Sequence, residues 1–219
     1  NIITNFGSGI TVAGAVLIAQ YIGAGEKEDA RSMANQIFAC AMGFAVVCAT
    51  LCFLGTPAIV NWLGADGGTA YYARVYLRVV IWDMPFLYMV NIFSAVHQAQ
   101  GDTVRPMFLN LGGITLNLFL DPFFMIILNL GTAGAALATL LAKAIPAIVA
   151  FGLLCRQEND ICLNRKYMRL QKEKLGMILK IGLPTAIGGS TMQLGFLLMS
   201  KNVFVYGTEA MAAMASATK

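Results

Sequence analysis

The chain has 219 residues, of which 58% are hydrophobic and only 12% are charged, with a formal net charge of +4. Soluble domains carry about twice this share of charged residues, so too few polar side chains are present to cover a soluble surface. Asp, Glu, Lys and Arg are absent from four long segments: 1–25, 32–65, 84–101 and 181–200. This distribution excludes an ordinary soluble protein and predicts a polytopic membrane protein.

Six transmembrane helices are predicted in chain order. A spanning helix needs about 20 mostly apolar residues, and its backbone must satisfy its own hydrogen bonds in hydrocarbon. Cutting the sequence at charges, Gly/Pro clusters and polar dipeptides gives the ranges 2–22, 33–61, 75–99, 107–128, 133–155 and 177–205. The predicted fold class is therefore an all-α membrane protein.

The basic residues predict how these helices cross the membrane, because Lys and Arg favour cytoplasmic loops. The long loop 156–174 contains Arg156, Arg165, Lys166, Arg169, Lys172 and Lys174. If this loop is cytoplasmic, counting back places Lys27 and Arg105 on the same side. The loops 64–73 and 129–132, which lack Lys and Arg, then lie outside.

This orientation places the first residue outside the membrane. We therefore expect at least one helix before it, and the small residues of Ala210–Lys219 resemble the start of another helix. The first residue is Asn rather than Met, so the sequence is expected to be a fragment.

Asp121 is the strongest functional candidate, because an ionisable residue at membrane depth is costly. Asn110, Asn117 and Asp121 are spaced seven and four residues apart and share one helical face. Pro122 lacks an amide proton, so the carbonyl of Leu118 loses its helical donor beside this carboxylate. Carboxylate, amide and carbonyl oxygens suit a small hard cation, and a carboxyl group can also carry a proton.

A second polar face is predicted on the fifth helix. Thr139 and Lys143 are one turn apart. If this face meets Asp121, Thr139 adds a hydroxyl ligand, and Lys143 pairs with either Asp121 or Asp83. Functional and structural roles are both open for Lys143, whereas Asp83 favours a structural one.

Other polar groups are interpreted as structural. Lys201 is expected at the outer interface and His97 at the cytoplasmic interface. The five cysteines are expected to be packing residues rather than disulfide or zinc ligands. They are Cys40, Cys48, Cys52, Cys155 and Cys162.

Several motifs, weak singly but specific in this order and spacing, resemble the multidrug and toxic compound extrusion (MATE) transporters. They are Gln20-Tyr-Ile-Gly-Ala-Gly25 with Ala30-Arg31, Pro85-Phe86, Gln100-Gly-Asp-Thr103 with Pro106, Asn117-Leu-Phe-Leu-Asp121-Pro122, Gly134-Ala-Ala-Leu-Ala-Thr139 and Gly182-Leu-Pro184. The resemblance implies twelve helices in two pseudo-symmetric bundles, of which this chain would contain the second to the seventh. The implied divisions are an N-terminal bundle lacking its first helix (1–155), a cytoplasmic inter-bundle loop (156–174) and the start of the C-terminal bundle (175–219).

The resemblance also implies a function: antiport of organic, often cationic and aromatic, compounds against protons or sodium ions by alternating access. It assigns cation coupling, and a candidate Na⁺ site, to Asn117, Asp121 and Thr139. Lys143 departs from the neutral residue expected there and puts sodium coupling in doubt. Lys143 and Asp83 are candidate modulators. Helix kinks are expected at Pro85, Pro122 and Pro184.

The implied setting is the cell (inner or plasma) membrane, where a monomer would act on small organic substrates, with no cofactor and no nucleic acid. The alternative from the same superfamily is a flippase for lipid-linked or polysaccharide precursors, which would need a larger and more basic cavity. An intramembrane enzyme using Asp83 and Asp121 as a carboxylate dyad is a third possibility. It lacks a protease-like glycine–aspartate signature and a nucleophile–base pair, so no enzymatic activity is expected.

Overall fold

A computed structural model describes residues 2–62, 81–128, 131–156, 161 and 171–204. Within these ranges the chain forms six α-helices, one π-helical segment and no strand, which confirms the predicted all-α class. The helices are α1 (Ile2–Gly23), α2 (Lys27–Trp62), α3 (Asp83–Ala99), α4 (Val104–Pro122), α5 (Gly131–Cys155) and α6 (Lys172–Phe204), and the π-helical segment is Phe123–Ile127. The loop 64–73, the inter-bundle residues 162–170, the segment 210–219 and the side chain of Lys201 lie outside the described residues.

Two helices begin earlier than the hydropathy pattern predicts. Helix α2 starts at Lys27 rather than at residue 33, and its first turn contains Glu28 and Asp29. Helix α6 starts at Lys172 rather than at residue 177, with Glu173 in its first turn. Acidic side chains favour a helix N-terminus because they complement its partial positive charge. Hydropathy marks the hydrocarbon boundary, whereas these helices continue beyond it.

Three described segments are long and apolar enough to cross a membrane: Lys27–Thr56, Val104–Ile127 and Ala133–Cys155. Within α1, residues Gly7–Gly23 form a shorter apolar helical segment. Helix α4 exposes large apolar side chains, including Phe108 at 63% and Leu118 at 69%. Such exposure is unfavourable in water, but lipid or further protein can cover it.

Helices α1 and α3 end in the same kind of turn, which explains two of the motifs. Gly25 and Gly101 have φ values of 79° and 82°, a conformation that only glycine adopts without steric cost. The residue after each glycine donates its N–H to a carbonyl five residues back, at 2.9 Å in both turns, as in a Schellman motif. The Oδ1 of Asp102 then accepts the N–H groups of Val104 and Arg105 at 3.1 and 3.2 Å, which caps α4.

Helices α1 and α3 lie at the centre of the described structure. Helix α1 packs against α2, α3 and α6, and α3 packs against α1, α2, α4 and α5. The core that they share with α2 contains Ile18, Met33, Ile37, Ile92 and Phe93, each at most 1% exposed. Helix α4 lies at one side, where it contacts α3, α5 and the π-helical segment. This arrangement brings the polar faces of α4 and α5 together.

Candidate functional site

A cavity of about 280 Å³ lies between α3, α4 and α5. Its wall is mostly apolar, with four polar side chains. The lining residues are Leu87, Val90, Leu109, Asn110, Gly113, Ile114, Asn117, Thr139, Ala142, Lys143 and Pro146. An apolar pocket with a few polar groups is a typical small-molecule site, and it includes four of the polar residues singled out from sequence.

Gly113 sets how closely α4 and α5 approach each other. A Cβ atom at this position would lie 3.2 Å from the carbonyl oxygen of Ala142 and 3.3 Å from Cγ of Pro146. Pro146 has no amide proton, so it cannot donate the helical hydrogen bond to the Ala142 carbonyl. Gly113 therefore faces a stretch of the α5 backbone that lacks one helical hydrogen bond. The sequence analysis did not predict this contact, although Pro146 is the signal that could have indicated it.

Three of the polar side chains that line the cavity each donate a hydrogen bond to an acceptor four residues away on the same helix. The bonds run from Asn110 Nδ2 to Pro106 O at 2.9 Å, from Asn117 Nδ2 to Asp121 Oδ1 at 3.4 Å, and from Thr139 Oγ1 to Ala135 O at 2.9 Å. Each of these side chains keeps an oxygen that can accept a hydrogen bond, and each asparagine also keeps a second amide hydrogen. The oxygens suit a cation or a hydrogen-bond donor.

Asp121 joins this site through Asn117 rather than by lining the cavity itself. Its side chain is half-buried, and Pro122 follows it at the end of α4. From Phe123 to Ile127 the helix continues in π-helical form. A π-helical turn inside a helix often marks a functional site. The carboxylate therefore lies where the backbone hydrogen-bond pattern changes.

The structure decides the partner of Lys143, which the sequence left open between two aspartates. The Nζ of Lys143 on α5 donates to Oδ2 of Asp83 on α3. The Asp83 side chain is 8% exposed, whereas that of Lys143 is 35% exposed. Asp83 lies one turn before Leu87 on the helix that forms one wall of the cavity. The ion pair therefore joins two of the helices that form the cavity, and Lys143 is the more exposed of its two side chains.

Metal-ligand clusters of the usual kind are absent from the described ranges, where no group of three or more His, Cys, Asp or Glu side chains could hold an ion. The oxygens of Asn117, Asp121 and Thr139 are of the type that Na⁺ accepts. Lys143 lines the same cavity as Asn117 and Thr139. A sodium ion held by these oxygens would share the cavity with a basic side chain.

His97 lies in a different environment from the one predicted. We expected an interfacial residue, but the structure buries it to 2% exposure. Its Nδ1 lies 3.0 Å from the carbonyl oxygen of Phe93, and the two rings are 4.0 Å apart. The core side of α3 therefore accommodates the imidazole, because the preceding turn supplies its polar partner.

A polar cluster joins α2 to the start of α6 near their predicted cytoplasmic ends. Lys174 Nζ donates to Asp29 Oδ1 at 2.9 Å, and the backbone N–H of Gln171 donates to Gln36 Oε1 at 3.0 Å. Ile161, from the predicted inter-bundle loop, is 4% exposed and belongs to the main apolar core. The loop is thus anchored to the helices at Ile161 and at Gln171.

Small residues allow α1 and α6 to approach closely. A Cβ atom on Gly9 would lie 2.6 Å from the carbonyl oxygen of Gly182 and 2.9 Å from Cβ of Ala186. Gly182 in turn faces the backbone of Gly9 and Cβ of Ala13. Small residues four apart on each helix are a common basis for helix packing in membranes.

A bundle of apolar helices, three of which enclose a mostly apolar cavity with a few polar groups, defines an integral membrane protein with a candidate small-molecule site. The MatE family model matches residues 1–123, and the chain belongs to this family. It is 30% identical to the multidrug export protein MepA of Staphylococcus aureus (strain MSSA476), over 78% of this chain and 38% of that protein.

Solved structures show the same fold. An outward-facing multidrug resistance MATE family transporter of the MOP superfamily matches 99% of this chain at 25% identity and a TM-score of 0.88, over 48% of its own length. An inward-facing structure matches 97% of this chain, also at 25% identity and over 48% of its length, with a TM-score of 0.83. The chain spans about half the length of the curated relatives it matches. Of these two structures, the outward-facing one has the higher TM-score.

Proposed function

We propose that this chain forms part of a cation-coupled multidrug exporter that moves organic, mainly cationic aromatic, compounds out of the cell. The observation that carries the proposal is the cavity between α3, α4 and α5. Its apolar wall suits aromatic compounds, and the oxygens of Asn110, Asn117 and Thr139 suit a cationic or hydrogen-bond-donating group. The similarity to a protein named as a multidrug exporter supports the same function.

The coupling ion, H⁺ or Na⁺, is proposed to act at Asn117, Asp121 and Thr139. Exchange requires that the ion and the compound each favour a different facing state, since a ligand with equal affinity for both states shifts neither. Outward-facing and inward-facing forms are both known among similar structures. Alternating access through rocking of two bundles is a general mechanism for carriers built from repeats.

Pro122 gives a physical route from ion loading to the cavity. Loading Asp121 removes or replaces its bond to Asn117, which lines the cavity. The π-helical segment begins directly after Pro122, so the backbone there has an alternative hydrogen-bond pattern. We hypothesise that loading repacks this part of the helix and shrinks the cavity. If acidification changed neither the helix geometry nor the affinity for the compound, this hypothesis would be dropped.

The proposed setting is the cell membrane, with the loop 156–174 in the cytoplasm and the protein acting as a monomer on small organic substrates. In this proposal residues 1–155 belong to the N-terminal bundle, residues 156–174 form the loop between the bundles and residues 175–219 begin the C-terminal bundle. The protein is proposed to have no resident cofactor and no enzymatic activity.

A flippase for lipid-linked or polysaccharide precursors is the second candidate. Such a substrate carries several negative charges and needs a basic cavity. Lys143 is the one basic side chain that lines the described cavity, and Asp83 pairs with it. The cavity therefore favours the drug exporter.

The test is dye efflux from vesicles that contain the full-length protein, with a proton gradient and a sodium gradient imposed separately. We expect one of the two gradients to drive export of a fluorescent aromatic cation. If no dye moved under either gradient while a labelled lipid-linked precursor was flipped, the exporter would be replaced by the flippase.

A further inference from the structure

Lys143 brings a fixed positive charge to the oxygens that would hold a coupling cation. Lys143 lines the same cavity as Asn117 and Thr139, and Thr139 is one turn away on the same helix. Asp83 holds the ammonium from the α3 side. Lys143 is the more exposed member of the pair, at 35% against 8% for Asp83, and of the two only Lys143 is among the residues that line the cavity.

A monovalent cation in this cavity would be repelled by the positive charge of Lys143. Two unit positive charges about 5 Å apart repel each other enough to weaken binding on the order of a hundredfold at the effective dielectric of a protein. Asp83 offsets part of this repulsion, so a reduction of at least about tenfold is expected. An ammonium is also a strong hydrogen-bond donor and competes for the same oxygens.

We propose that the Asp83–Lys143 pair is an ion-selectivity device, in which the tethered ammonium takes the place of a free sodium ion. The Asn117, Asp121 and Thr139 oxygens then do not bind Na⁺ while Lys143 is present, which removes Na⁺ as the coupling ion. This inference rests on the proposed function, because it assigns a selectivity to the proposed cation site.

The test measures equilibrium binding of radioactive sodium to the purified full-length protein, at fixed pH and with choline chloride holding the ionic strength constant. The wild type is compared with Lys143→Gln, with Lys143→Arg and with the double variant Asp83→Asn/Lys143→Gln. The double variant removes the unpaired Asp83 carboxylate as an alternative sodium ligand and also avoids leaving a buried charge. Binding is read only from samples that elute as a single folded species.

We expect no saturable sodium binding by the wild type or by Lys143→Arg over the concentrations tested. The double variant should bind sodium saturably, with a dissociation constant at least about tenfold below any limit set for the wild type. Adding Asp121→Asn to the double variant should abolish this gain and so locate the ion. Saturable binding by the wild type with the affinity of the double variant would overturn the proposal. Absence of binding in the folded double variant would also overturn it, because the ammonium would not then be the excluding group.

Failure of the proposed function has a different signature. Dye export driven by a sodium gradient in the wild type would overturn the selectivity inference and leave the exporter in place. Absence of dye export under every gradient would remove the exporter, whereas the sodium-binding result would still decide what Lys143 does at these oxygens.

Discussion

Asn117 donates a hydrogen bond from Nδ2 to Oδ1 of Asp121 over 3.4 Å, one turn along α4. This length is at the weak end for such a bond, so a cation or proton can take over the carboxylate oxygen at little cost. Asn117 lines the cavity and Asp121 adjoins the π-helical segment. The pair therefore connects the cavity to the π-helical segment.

Asp121→Asn is expected to abolish gradient-driven dye export, with a loss of at least about tenfold, since an amide neither carries a proton nor supplies a charged ligand for a cation. The measurement is the initial rate of dye efflux at equal protein density. Asp102→Asn is the matched control. Asp102 caps α4 at an exposed turn, where asparagine caps equally well, so its export rate should stay near that of the wild type. Equal rates in both variants would make Asp121 a structural residue.

Asp83→Asn is expected to destabilise the protein because it leaves the ammonium of Lys143 without its counter-charge. Breaking a fully buried pair costs about 3–5 kcal/mol. Lys143 is 35% exposed, so a cost of about 1–2 kcal/mol is expected here.

Thermal unfolding of the full-length protein followed by size exclusion gives the comparison. Asp83→Asn/Lys143→Met should recover most of the lost melting temperature, because it removes both charges. A double variant as unstable as Asp83→Asn alone would show that the pair contributes through packing rather than through charge.

Gly9→Ala is expected to weaken the contact between α1 and α6. The added methyl group would lie 2.6 Å from a backbone oxygen of Gly182, so the helices must move apart. Overpacking of this kind costs about 1–3 kcal/mol. Gly43→Ala is the control, because a methyl group there meets nothing within 4 Å, and it should be neutral or slightly stabilising. Equal melting temperatures for the two variants would contradict the close approach.

Lys174→Glu is expected to loosen the contact between α2 and α6, because it replaces the attraction to Asp29 with repulsion. Asp29 is 53% exposed, so an effect of about 0.5–1 kcal/mol is expected, or a two- to fivefold population shift. The readout is the labelling rate of Ala30→Cys, a fully buried position on α2, in a protein whose own cysteines have been replaced.

The labelling rate should rise in Lys174→Glu and return towards the starting value in the charge-swapped variant Asp29→Lys/Lys174→Asp. No change in either variant would show that this ion pair does not hold α2 and α6 together.

The amino-acid sequence by itself was sufficient for the membrane class, for the six α-helices of the described ranges and for the family. Long charge-free segments can fold only as spanning helices, because the bilayer leaves the backbone no other partner. Asn110 and Asn117 were predicted to share a face because helical spacing alone determines it. The same hydropathy pattern could not give the true starts of α2 and α6, since the helix continues into water where charged side chains stabilise its first turn.

The tertiary structure alone decided which polar groups meet. Lys143 could reach either of two aspartates by sequence, and the packing of α5 against α3 gave it Asp83. His97 lies near a helix end by sequence, yet neighbouring helices bury it. Gly9 and Gly182 are far apart along the chain, but their lack of side chains lets α1 and α6 touch. Periodicity fixes the face of one helix, whereas the partner of that face depends on how several helices fill space together.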